Sequence, residues 1–448
     1  MARHAYIGKN DVHSNAKSQI QVASRYVAIT GDKQRTLLQI DTLRRPFASM
    51  CSSCALLRIP VFASLTAVTT RGCFHIDQNV VHNSMKGVHI LGILGERSTS
   101  ICRNVFTDIK EASIFIEGHL ASATIGDGNM FERNSASITV SMPEDECTEE
   151  ERQWQLAMGI VTRIYGNKFV FPNKTSIVIK GSGSVSPVVG GNRFTDHPFG
   201  RVVIFCDSAS GAVIKGNVFQ ENYIPIIITN SVGEHGSVKR VSVEGNLFTR
   251  NYIGLLVCDR AVPHITHNIF EGNYRSGIEI IGKGTSPTVQ HCLFVPDKSG
   301  ISSSSDLGKF SYPEKGLVYV ENVPQFSVIL QPENVVTQGD VDTILSVGIL
   351  VQQESSGLIE SCFFKGNQIG VDVVATNPVR LRDISTTALS DTACASFRRC
   401  LFFQQSIAGV WARGPDSGVQ SHMKASARRP RFDASDEGVI FEHCFFIG

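Results

Sequence analysis

Apolar and polar residues along this chain alternate with period two in short bursts of three to five positions, and Gly and Asn separate the bursts. Alternation over so few residues predicts short, half-buried strands. The repeating unit lacks the ten-residue apolar run of period 3.6 that a helical repeat needs, which sets aside TPR, ankyrin and HEAT arrays.

The bursts are in phase with a short phrase, Asn-x-Phe. It recurs as Asn104-Val105-Phe106, Asn129-Met130-Phe131, Asn167-Lys168-Phe169, Asn192-Arg193-Phe194, Asn217-Val218-Phe219, Asn246-Leu247-Phe248 and Asn268-Ile269-Phe270, with Asn79-Val80-Val81 as a degenerate earlier copy. Counted from Asn79, the intervals are 25, 25, 38, 25, 25, 29 and 22 residues, a unit of about 25 with one large insertion. An aliphatic residue stands three before the Asn (Ile101, Ile164, Val189), a second Asn five after it (Asn134, Asn222, Asn251, Asn273), and an aliphatic pair about ten after (Ile114/Ile116, Ile177/Ile179, Val202/Ile204, Ile278/Ile280). Beyond residue 290 the Asn gives way to Cys, in Cys292-Leu293-Phe294, Cys362-Phe363-Phe364, Cys400-Leu401-Phe402 and Cys444-Phe445-Phe446.

A strand of four residues cannot bury its apolar side alone, but coils stacked at roughly 4.8 Å pair each strand in parallel with the coils on either side. Identical amides one coil apart then hydrogen-bond along the stack, so the Asn residues read as structural. The fold expected is all-β, a right-handed parallel β-helix solenoid of about 25 residues per coil with loop insertions.

On these phrases the chain resembles the right-handed parallel β-helix (pectate-lyase-like) superfamily from about residue 20 onward. The Asn-x-Phe and Gly-Ile-x-Ile phrases are most similar to the intracellular β-helix repeats found in F-box only protein 11 and SHC-binding protein 1. The resemblance covers coils alone; F-box helices and a zinc-finger module are not seen, so a ubiquitin-ligase role is not carried over, and coil repeats specify fold better than function.

Residues 1–25 are expected to be an irregular tail or cap, with the first coil opening at Tyr26–Asp41 and the β-helix filling 26–448. Three insertions interrupt it: 143–158 (PEDECTEEERQWQLAM), which has the acidic start and helix formers of a short helix, and the Ser-, Gly- and Pro-rich 297–315 and 412–438. Degenerate coils are expected near Val318 and Asn334. The last coil, 439–448, ends without a polar cap, which is expected either of a truncated chain or of an end that another subunit covers in end-to-end association.

Composition narrows the function classes. Charged residues are 19% of the chain and the net charge is +1, so no global field draws it to nucleic acid or an anionic membrane. Met1 to Asn10 has no apolar run and Ala55 to Thr70 is too short to span a bilayer. The twelve cysteines fall mostly at a repeated strand position, not in paired loops, which points to a reducing, cytoplasmic setting.

Chemistry-bearing residues are few. Sugar lyases and hydrolases of this fold need clustered Asp with Arg or Lys, and their Asn-Thr-Asp, Asp-Asp and Gly-His-Gly phrases are absent. The nearest imitation is Asp196-His197 with Arg201. His267 and His291 sit just before corner residues on adjacent coils, with His443 in the same slot; they read as solvated turn residues or a two-histidine metal site. Cys51, Cys54, Cys73 and His75 could supply four zinc ligands, although buried strand cysteines account for them as well. No cofactor is expected.

The most distinctive candidate is a row of outward positions between the aliphatic pairs, in which Val178, Val203, Ile227 and Leu256 are apolar on four consecutive coils. Such a row marks a partner interface or the docking site of an insertion such as the Trp154 segment. The expected function is a non-catalytic intracellular scaffold or substrate-recognition module that binds a protein partner. The alternative is a carbohydrate-active enzyme of the pectate-lyase-like fold.

Overall fold

The structure is a computed structural model. It describes residues 3–8, 11–13, 18–24, 65–68, 72–92, 99–118, 122–141, 161–181, 186–197, 201–207, 210–230, 240–296, 317–319, 327–329, 346–352, 355–374, 393–413, 421–422 and 439–447. The chain divides into two compact units, 1–193 and 194–448.

Each unit is built the same way. One coil contributes a strand to each of three parallel sheets, as in Ser242–Glu244 (sheet 1), Leu247–Thr249 (sheet 2) and Ile253–Val257 (sheet 3). Register follows the repeat: Val243 pairs with Ile265 in sheet 1, Phe248 with Phe270 in sheet 2 and Leu255 with Ile278 in sheet 3. The described coils form an all-β, right-handed parallel β-helix solenoid.

Period-two alternation sends every second side chain inward, and the interior is a file of identical residues. In the first unit Phe106, Phe131 and Phe169 stack with centroids 5.1 and 4.8 Å apart. In the second the file runs from Phe194 through Phe219, Phe248, Phe270, Phe294, Phe364 and Phe402 to Phe446 at 4.7–5.0 Å, with rings within 8° of parallel. Coil spacing sets the distance; the nearly face-to-face geometry is imposed by the backbone.

The corner between sheets 1 and 2 explains the Asn. It consists of a residue in the left-handed region and then the column residue; Asp127-Gly128-Asn129 is one longer. The left-handed position favours Gly, as at Gly245 (φ +61°), where a Cβ would meet nothing within 4 Å. The column amides are saturated: the backbone N and Nδ2 of Asn217 both donate to Asn246 Oδ1 at 2.9 and 3.0 Å, and Asn246 repeats this toward Asn268 at the same distances. Asn246 Nδ2 also donates to the Ile214 carbonyl at 2.9 Å. In the first unit Asn79, Asn104, Asn129, Asn167 and Asn192 form the equivalent ladder.

A second ladder five residues on links Asn222, Asn251 and Asn273. Where the first column turns to Cys, each thiol donates to the carbonyl two residues earlier, from Cys292 to Gln290 (3.3 Å), Cys362 to Glu360 (3.4 Å) and Cys400 to Arg398 (3.4 Å).

Several boundaries differ from expectation. Within the expected tail the described residues form strands: Arg3–Gly8, Asp11–His13 and Ser18–Ser24 pair in parallel with Gly72–Asp77, Val80–His82 and Lys86–Gly92. Tyr26–Asp41 and the insertion 143–158 lie outside the described residues. Near Val318 the chain makes an antiparallel pair, Leu317–Tyr319 with Ser327–Ile329, instead of a degenerate coil. The parallel stack resumes at Val347–Gln352, so this insertion is longer than 297–315. Within 412–438, Ser421–His422 folds back antiparallel onto Ala408–Arg413.

Candidate interaction surface

The outer row of sheet 3, read from sequence as apolar and outward, is not open. In the second unit register places Phe205, Ile227, Leu256, Glu279, Leu350, Asp372 and Trp411 in one row. The most exposed of them is only 3% accessible. In the first unit Val178 stands in register with Thr139 and is also fully buried. The apolarity of Val178, Ile227 and Leu256 therefore reports burial on both faces of the sheet.

Val203 is not a member of the row. The pairing of Ile204 with Ile226 and Phe205 with Ile227 shifts the aliphatic pair to Ile204/Cys206. Val203 then takes the slot held on later coils by Gly254 and Gly277, and it too is fully buried.

The row tolerates polar residues where they are paired. Arg275 Nε donates to Glu279 Oε1 at 2.6 Å and Ser276 Oγ to the same oxygen at 2.8 Å, so the fully buried carboxylate is compensated. Toward the start of the chain the His89 ring lies tilted at 48° against Phe115, centroids 4.9 Å apart, and Glu117 holds its Nε2 at 3.1 Å. Burial outweighs that carboxylate and lowers the His89 pKa.

Asp196, His197 and Arg201 do not make an open acid–base site. His197 occupies the second Asn column: its backbone N donates to Asn222 Oδ1 at 3.3 Å, its ring lies edge-on to Phe194 at 6.4 Å, and it is sealed from solvent. Desolvation pushes its pKa down to about 3, so the imidazole is neutral and structural. Asp196 is the left-handed turn residue before it (φ +60°), in the slot of Glu221 and Arg250.

His267 and His291 do come together, as left-handed corner residues (φ +55° and +52°) whose rings stack at 5.0 Å. Cys51, Cys54 and the side chain of Cys73 lie outside the described residues. Among the described residues, no group of three or more His, Cys, Asp or Glu is placed to hold a metal ion, and no helix is long and apolar enough to cross a membrane.

An open apolar row lies elsewhere, on sheet 2 of the second unit. The residue after each corner Asn or Cys points outward, and seven successive strands align Val218, Leu247, Ile269, Leu293, Phe363, Leu401 and Phe445. Ile269 is 40% and Phe445 66% exposed, and the others are partly exposed. Two residues farther along the same strands, Val295, Phe403 and Ile447 widen it on some coils. The equivalent row of the first unit, Val80, Val105, Met130, Lys168 and Arg193, turns basic. The signal was present in the x of Asn-x-Phe and Cys-x-Phe, but the flanking Phe draws the eye to the interior.

Residues 156–309 match the sequence model of a family described as Right handed beta helix region. Together with the parallel sheets, this match supports placing the chain in the right-handed β-helix superfamily. No curated protein and no solved structure matches the chain.

Proposed function

We propose that this chain is a non-catalytic protein-binding solenoid of the cytoplasm, a scaffold or substrate-recognition module whose docking face is the sheet 2 row of the second unit. The observation that carries this reading is the alignment of seven apolar outward residues, Val218 to Phe445, on consecutive strands. At about 4.8 Å per strand the row is roughly 29 Å long, enough to seat a partner helix or edge. A contiguous apolar strip of that length is costly to leave in water, and an interface removes the cost. The likeness of the coil phrases to the repeats of F-box only protein 11 and SHC-binding protein 1 fits the same use. The seven cysteines whose side chains are described are all free thiols, which fits a reducing compartment.

The test is site-specific photo-crosslinking from position 293, with Ser242 on sheet 1 as the control site. A defined partner captured from position 293 and lost in Leu247→Glu/Phe363→Glu, with folding intact, supports the proposal. Equal capture from both sites, or polysaccharide turnover abolished by Asp196→Asn, overturns it.

A further inference from the structure

The stacked corner histidines have a geometry that the fold alone does not require. Other coils place Gly245 and Ser361 in the same left-handed slot, so a small residue suffices there. Backbone bonds fix the two positions: the His267 N–H donates to the Gln290 carbonyl and the His291 N–H to the Glu360 carbonyl, both at 3.1 Å. The rings are exposed, near-parallel (26°) and 5.0 Å apart between centroids.

Two features make this pair a ligand set rather than a turn ornament. His267 Nδ1 lies 2.7 Å from Thr266 Oγ1. With the proton on Nδ1 and the hydroxyl oxygen accepting, Nε2 is left as a bare lone pair facing solvent, which is how metal-binding imidazoles are usually oriented. The slots on either side carry Gly245 and Ser361, so no bulky side chain closes over the rings. The flanking Glu360 is engaged elsewhere, its Oε2 accepting from Gln290 Nε2 at 2.8 Å, so among the described residues the two imidazoles are the only protein ligands offered.

We propose that His267 and His291 bind one borderline divalent transition-metal ion, Cu2+ most tightly, through their Nε2 atoms, with water completing the shell. Imidazole suits copper, nickel and zinc, and Cu2+ stands highest in the affinity order. Bonds of about 2.0–2.1 Å to one ion bring two nitrogens within roughly 3–4 Å, which a modest convergent turn of two exposed rings achieves.

The experiment titrates the full chain with Cu2+ by calorimetry and records the electron paramagnetic resonance spectrum of the one-equivalent complex. One ion per chain with two equatorial imidazole nitrogens is expected, and His267→Gln or His291→Gln should each weaken binding at least about tenfold. His443→Gln removes a histidine from the same slot on a distant coil and should change nothing. Thr266→Val should weaken binding while leaving the two-nitrogen spectrum intact. Binding unchanged in the double variant His267→Gln/His291→Gln, or a spectrum without two imidazole nitrogens, overturns the proposal.

Discussion

Phe294 packs so closely over Gly277 that a Cβ built there would lie 2.8 Å from the ring Cδ1 and 2.7 Å from the Gly348 carbonyl oxygen. Gly254 with Phe270, Gly348 with Phe364 and Gly370 with Phe402 repeat the relationship. It explains the Gly of the Gly-Ile-x-Ile phrase: the phenylalanine file and the sheet 3 backbone touch there with no room for a methyl group. Gly277→Ala is expected to destabilise the chain by about 1–3 kcal/mol through overpacking. A urea midpoint unchanged from wild type would contradict this.

The amide ladder makes a second prediction. Asn246→Ala removes the acceptor for the Asn217 backbone and side-chain N–H groups and leaves them buried, which should cost on the order of 1–3 kcal/mol per unsatisfied group. Asn246→Cys should be milder, because a thiol already serves at this position on the coils of Cys292 and Cys362. Equal thermal midpoints for the two variants would show that the column does not depend on a polar group.

His197 gives the chain a pH-dependent component of stability. Its pKa is held at about 3 in the folded state, against an ordinary value of 6.5. The unfolded chain therefore binds more protons between those values, and stability falls as pH drops from 6.5 toward 3. His197→Asn, which restores the column residue of Asn222 and Asn251, should flatten that slope between pH 7 and 5. Parallel denaturation profiles for the two proteins would count against the assignment.

The two apolar rows should respond oppositely to charge. Ile227→Glu places an unpaired carboxylate in a fully buried site and should cost about 3 kcal/mol or more, enough to abolish folding in many proteins. Leu293→Glu, on the open row, should stay within about 0.5 kcal/mol of wild type. Circular dichroism melts of the two variants decide the matter directly.

The architecture was legible in the sequence because each level of it repeats. The same Asn, Phe and aliphatic residues recur at coil spacing, and the hydrogen bonds of Asn217, Asn246 and Asn268 follow from stacking alone. The surface was less legible for two reasons. A one-pair misalignment at Val202-Val203-Ile204 exchanged the slots of Val203 and Phe205, because a run of four apolar residues carries no internal register mark. For Val178, Ile227 and Leu256 the sequence leaves open whether a partner or an insertion covers them, because alternation tells inside from outside only where one face meets water. The open row is masked in the sequence because Leu293 and Phe363 sit beside core phenylalanines in a continuous apolar phrase.

The short corner at the amide and thiol column varies by no more than one residue among the described coils, while the rest of the coil varies by tens. Asn246 and Asn268 are 22 residues apart and Cys292 and Cys362 are 70 apart, yet each pair sits on neighbouring rungs. Growth of the chain is therefore absorbed on the far side of the cross-section, where segments of any size can be grafted without re-threading the stack. Variation in the inserted segments is in this way uncoupled from the spine that keeps the rungs aligned.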